Sequence, residues 1–143
     1  PLAKLGSDMI VVQEDTCADL GQTIGRLRTL GVRVGVGVNP DRPLEPVRPF
    51  LPMLDLLIVM SVNPGFGGQS FIPSALEKIA QLRAMIDRKG YAVDIEVDGG
   101  IKVDNIAEVV AAGANVIVSG SGVFGTPDYA ATIAELRRRA AKS

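Results

Sequence analysis

Val59-Met60-Ser61-Val62-Asn63-Pro64-Gly65-Phe66-Gly67-Gly68-Gln69-Ser70-Phe71 joins the end of one regular element to the start of the next. Apolar residues lead into it from Leu56, which predicts a strand ending near Val62. Asn63, Pro64 and the glycines at 65, 67 and 68 then forbid regular structure for several residues. A helical pattern resumes near Pro73. Backbone N–H groups of a glycine-rich loop between a strand and a helix can wrap an anion, and Gly67 and Gly68 lack the Cβ that would keep a phosphate away. The same loop could equally be one that merely needs positive φ angles.

Two later segments tilt that balance. Ile95-Glu96-Val97-Asp98-Gly99-Gly100-Ile101 predicts a strand over Ala92 to Val97 that delivers Asp98 at its C-terminal end, followed by two glycines. Val116-Ile117-Val118-Ser119-Gly120-Ser121-Gly122-Val123-Phe124 predicts another strand ending in small residues. Three consecutive strands thus end in glycine loops, and one presents a carboxylate. In parallel α/β proteins the C-terminal strand ends share one face, and sites form there.

The alternation extends along the whole chain. Strands are predicted over Met9 to Gln13, Val32 to Val38, Asp55 to Val62, Ala92 to Val97 and Asn115 to Ser119, rich in Val and Ile in both parities as for strands covered on both faces. Helical stripes lie between them: Leu20, Ile24, Leu27 and Leu30; Leu76, Ile79, Leu82, Met85 and Ile86; Ile106, Val109 and Val110. The last helix is predicted over Pro127 to Ala141, with Thr126 as N-cap and Pro127 at its first position. Gly6, Gly31 and Gly113 stand where helices should stop before strands. Pro43, Pro46, Pro49 and Pro52 break one connector, so one or two short turns are expected there, although Leu44, Val47, Leu51 and Leu54 keep helical spacing. Five units at about 29 residues each match the unit size of a (β/α)8 barrel, which needs roughly 230 residues in all. Five such units cannot close a barrel, so one fold expected is a partial TIM barrel, a single incomplete domain over 1–143. An open flavodoxin-like sheet fits the same periodicity.

Composition narrows the function. The 143 residues are 47% hydrophobic and 22% charged, with net charge −1. No basic block points to nucleic acid, and no run approaches the length of a membrane span. Cys17, the sole cysteine, excludes an internal disulfide and suits the cytoplasm; it reads as a bland small residue. Histidine is absent, so acid–base chemistry in this stretch falls to carboxylates. The chain opens on Pro1 rather than methionine, as expected of a segment that others precede.

Val59 through Phe71, with Val97-Asp98-Gly99-Gly100, Gly120-Ser121, Gly37-Val38-Asn39-Pro40 and Phe124, resembles the ribulose-phosphate 3-epimerase family. The resemblance spans the chain and covers the last five of that family's eight βα units. It implies a (β/α)8 barrel that interconverts ribulose 5-phosphate and xylulose 5-phosphate. Two aspartates act on opposite faces of the substrate, beside a divalent metal ion (zinc, iron, manganese or cobalt). It implies Asp98 as one acid/base and metal ligand. Met60, Gly65, Phe66, Gly67, Gly68, Asp98, Gly99, Gly100, Gly120 and Ser121 would surround the sugar phosphate. The partner aspartate and two metal-binding histidines belong to the family's first three strands, which have no counterpart here. The complete protein would be a homo-oligomer. Gln13 stands where the family usually has histidine, and Asp15 where it usually has glutamate.

Epimerisation beside a ketone needs one group to remove a proton and another to return it on the opposite face. The enediolate between them must be stabilised, work a metal does as a Lewis acid. Binding the phosphate positions the reacting carbon. Other uses of these residues are an Asp98 that caps a turn and a Ser121 that caps a helix. Asp94, Glu96 and Asn39 read as structural. Two other functions also fit: a phosphate-binding module without catalysis, and an epimerase for another ketose phosphate.

Overall fold

A computed structural model describes residues 9–61, 72–118 and 127–141. Strands and helices alternate: β1 (Met9–Gln13), α1 (Leu20–Thr29), β2 (Arg33–Val38), β3 (Leu56–Met60), α2 (Ser74–Lys89), β4 (Asp94–Asp98), α3 (Ile106–Ala112), β5 (Val116–Val118) and α4 (Tyr129–Ala141). Every expected element is present, β1 with the bounds expected and the others with ends within two residues of them. The start of α4 differs for a chemical reason. The Asp128 carboxylate accepts the Ala131 N–H at 3.1 Å and caps the helix, so Pro127 lies before it. Thr126, Gly6, Val62 and Ser119 lie outside the described residues.

All five strands are parallel, in the order β1-β2-β3-β4-β5. That order decides between the two architectures. A doubly wound sheet reverses its strand order and carries helices on both faces; a barrel lays each strand beside the last and keeps its helices outside. The chain is a partial barrel of five βα units.

Burial separates the two faces. Val34, Val36, Val38, Leu57, Val59, Ile95 and Val97 are at most 1% exposed and pack against Ile24, Ile79, Leu82, Ile86 and Val109 of the helices. The alternate residues line the other face. Ile58, Met60, Glu96 and Asp98 are half-buried, while Val11 on β1 and Val118 on β5 are 41% and 39% exposed. Sequence alternation anticipated cover on both faces; five strands in a row, unclosed among the described residues, provide it on one.

The proline-rich connector forms a 3-10 turn over Arg48–Met53, and Leu44, Val47, Leu51 and Leu54 are all buried by it. Leu30 departs from the expected stripe of α1. It caps the helix at its C-terminal end and is 54% exposed. Among the described residues no helix is long and apolar enough to cross a membrane.

Candidate active site

β3 and β4 run side by side with Met60 in register with Asp98, and Asp98 in turn with Val118 of β5. The last pair of β3 and β4 therefore puts a thioether and a carboxylate next to each other on the inner face, at the C-terminal strand ends. Glu96 lies two residues earlier on that face, where burial, and then the nearby Asp98, pushes its carboxyl up.

The turn after Asp98 is held from two sides. Ser61, 0% exposed, donates its N–H to the Asp98 carbonyl at 2.9 Å and its hydroxyl to the Gly99 carbonyl. Its own carbonyl accepts the Ile72 N–H at 2.7 Å. On the other side, Asn105 donates to the Gly100 carbonyl at 2.9 Å while its Oδ1 accepts the Lys102 N–H at 2.8 Å. Gly99 and Gly100 have φ of +124° and +72°, a region where a Cβ meets its own backbone. Glycine is thus required for the chain to turn away immediately after presenting the carboxylate.

A polar cluster fastens the ends of β1 and β2 on the same side of the sheet. Glu14 is buried and accepts two hydrogen bonds from Arg42, at 3.0 Å from Nε and 2.9 Å from Nη2. These bonds outweigh burial and hold the Glu14 carboxyl below its usual range. Asn39 donates to Asp15 at 2.6 Å, so it is a turn residue, as its position suggested. From α2, Lys78 donates to the carbonyls of Asn39 (3.4 Å), Pro40 and Arg42, and burial pushes its ammonium pKa down. Asp94 is likewise structural: it accepts from Asn115 at 2.8 Å at the start of β4.

Of the residues expected to form the site, Met60, Asp98, Gly99 and Gly100 meet at one place. Gly65, Phe66, Gly67, Gly68, Gly120 and Ser121 lie outside the described residues. Ser61, Asn105 and Lys78 were not anticipated. Ser61 stood within the decisive segment, and a lone serine closing an apolar run was the available signal. Among the described residues no group of three or more His, Cys, Asp and Glu could hold a metal ion.

Sequential parallel strands with helices outside define a βα-barrel protein, and a glycine turn presents a carboxylate at the C-terminal strand ends. The solved structure of 3-hexulose-6-phosphate synthase from Salmonella typhimurium shares this fold, with TM-score 0.71 at 21% identity over 99% of this chain and 65% of that one. The chain belongs to the ribulose-phosphate 3-epimerase family, whose model matches residues 1–124. It is 49% identical to a ribulose-phosphate 3-epimerase of Synechocystis sp. over 94% of its own length, and 41% identical to one of Escherichia coli K12 over 98%. The chain spans 60% and 62% of the length of those two relatives.

Proposed function

We propose that the protein is a ribulose-phosphate 3-epimerase, interconverting D-ribulose 5-phosphate and D-xylulose 5-phosphate by proton transfer at C3, with Asp98 as one of two acid/base groups. The observation that carries this reading is the Asp98 carboxylate beside Met60 at the sheet's C-terminal end, on a turn held by Ser61 and Asn105. A carboxylate so fixed can take or return a proton without first paying for its own ordering. Met60 gives the reacting carbons an apolar wall that keeps water from competing for the proton. Gly65 to Gly68, Gly120 and Ser121 cradle the phosphate through backbone N–H groups, and Gly99 and Gly100 let the sugar approach the backbone. The resemblance places the second acid/base group, the family's partner aspartate, in the first three strands, which have no counterpart in these 143 residues.

The divalent ion implied by the resemblance is not fitted by the residues described. They offer Asp98 and its neighbour Glu96 but no third ligand, and the chain has no histidine. Asp98 would be one ligand of a set that the resemblance completes from the family's first three strands.

The test is Asp98→Asn in the full-length protein, which keeps the shape and removes the base. Turnover and solvent-proton exchange at C3 should both fall by about 10²–10⁴-fold. Exchange near the wild-type rate would reject Asp98. Wild-type turnover on a different ketose phosphate, with none on ribulose 5-phosphate, would move the substrate and leave the chemistry in place.

A further inference from the structure

Gln13 closes β1, and its side-chain Oε1 lacks a partner among the described residues. In register it meets Gly37 on β2, then Ile58 on β3 and Glu96 on β4. It therefore stands on the inner face that carries Met60 and Asp98, one side-chain pair nearer the strand starts. The amide lies flat across Gly37. A Cβ at residue 37 would fall 2.6 Å from Nε2, 2.8 Å from Oε1 and 2.9 Å from Cδ, so the lane exists only because residue 37 has no side chain.

Oε1 is buried and has no hydrogen-bond partner among the described residues. Rotating the amide by half a turn exchanges the two atoms, so the slot takes either an acceptor or a donor. The residue as a whole is half-buried, while Oε1 itself is covered. An unpaired buried amide atom costs stability that methionine, of the same length, would not cost. A neutral amide held at that cost, in a lane cleared by glycine, suits a ligand that both gives and takes hydrogen bonds.

We propose that Gln13 contacts the substrate directly, its amide hydrogen-bonding a hydroxyl of the sugar phosphate and so helping to set which ketose is accepted. The proposal rests on the epimerase reading above. A hydroxyl fits because it is donor and acceptor at once, as the amide is. The phosphate is less suited: the glycine loops assigned to it follow β3 and β5, and a neutral amide adds no charge to hold an anion.

The experiment compares Gln13→Met and Gln13→His with wild type in the full-length protein, using D-ribulose 5-phosphate. Losing one neutral hydrogen bond should raise KM about tenfold in Gln13→Met while kcat stays within about threefold. The melting temperature should hold or rise, because the orphaned atom is gone. Gln13→His restores a donor and acceptor and should bring KM back toward wild type. Among deoxy analogues tested one hydroxyl at a time, one should be handled alike by wild type and Gln13→Met. An unchanged KM in Gln13→Met overturns the proposal. So does a joint loss of kcat, KM and melting temperature, which marks a residue that only packs. A wild-type protein without epimerase turnover overturns the epimerase reading and this contact with it, whereas turnover unaffected by Gln13→Met removes the contact alone.

Discussion

Ser61→Ala isolates the part of the site that tertiary packing contributes. The substitution leaves the Ser61 N–H on the Asp98 carbonyl at 2.9 Å, so β3 and β4 stay in register. It removes the hydroxyl that the Gly99 carbonyl accepts. A lost hydrogen bond is worth roughly 1 kcal/mol, and a buried acceptor left without a donor costs roughly 1–3 kcal/mol. Gly99 is half-buried, so water can partly replace the hydroxyl and the lower end of that range applies. The expected cost is about 1–2 kcal/mol, which for a full-length barrel lowers the melting temperature by about 2–8 °C. Freed from Ser61, the Gly99 carbonyl lets the turn drift, and Asp98 with it. A displacement of about 1 Å can cost up to about 10²-fold in rate, so kcat should drop about 10- to 100-fold with a smaller change in KM. Calorimetry and steady-state kinetics on the full-length protein read both quantities. A variant that melts with wild type and keeps its kcat would refute the argument that Ser61 holds the Asp98 turn.

Three further outcomes are expected. Gly68→Val should raise KM for the phosphorylated ketose by about tenfold or more, equivalent to about 1.4 kcal/mol, and matter much less for the unphosphorylated ketose; equal losses on both would count against a phosphate cradle. Glu14 has a carboxyl held below the ordinary 4.5 by the Arg42 hydrogen bonds, so its contribution to stability is complete above pH 4.5 and is lost as pH falls through the lowered folded value. Glu14→Gln should therefore destabilise the protein at neutral pH and flatten its acid limb; identical acid limbs in a plot of melting temperature against pH would remove the Arg42 pairing from the account. The 143-residue chain expressed alone should associate and show no epimerase turnover, because β1 and β5 leave edges unpaired among the described residues and Val11 and Val118 stay exposed. A monomeric preparation with metal-dependent turnover would overturn that expectation.

Local pattern carried much of the architecture. Runs rich in Val and Ile located the five strands, and apolar stripes located three of the helices, since both signals lie within a few residues of each other along the chain. Asp98 followed by Gly99-Gly100 could be read the same way. A carboxylate at a strand end and two residues tolerant of positive φ are local properties, and the observed φ of +124° and +72° match that reading. The proline connector was legible as short turns because proline excludes a long helix whatever surrounds it.

What periodicity left open was which strand lies beside which. A partial barrel and a doubly wound sheet share the same alternation and differ only in strand order, which depends on where each helix packs after crossing over. Register was equally hidden: a slip of one residue would carry Asp98 to the helix-covered face and put Val97 in its place. The Ser61–Gly99, Arg42–Glu14 and Lys78–Pro40 contacts join positions 38, 28 and 38 residues apart. Sequence alone determined the elements and the carboxylate at the end of β4, because those follow from near-neighbour sterics and hydrophobic spacing. Only the tertiary structure decided that Met60 stands beside Asp98, that Ser61 holds the turn and that Gln13 lies across Gly37, because each depends on two strands meeting in one register.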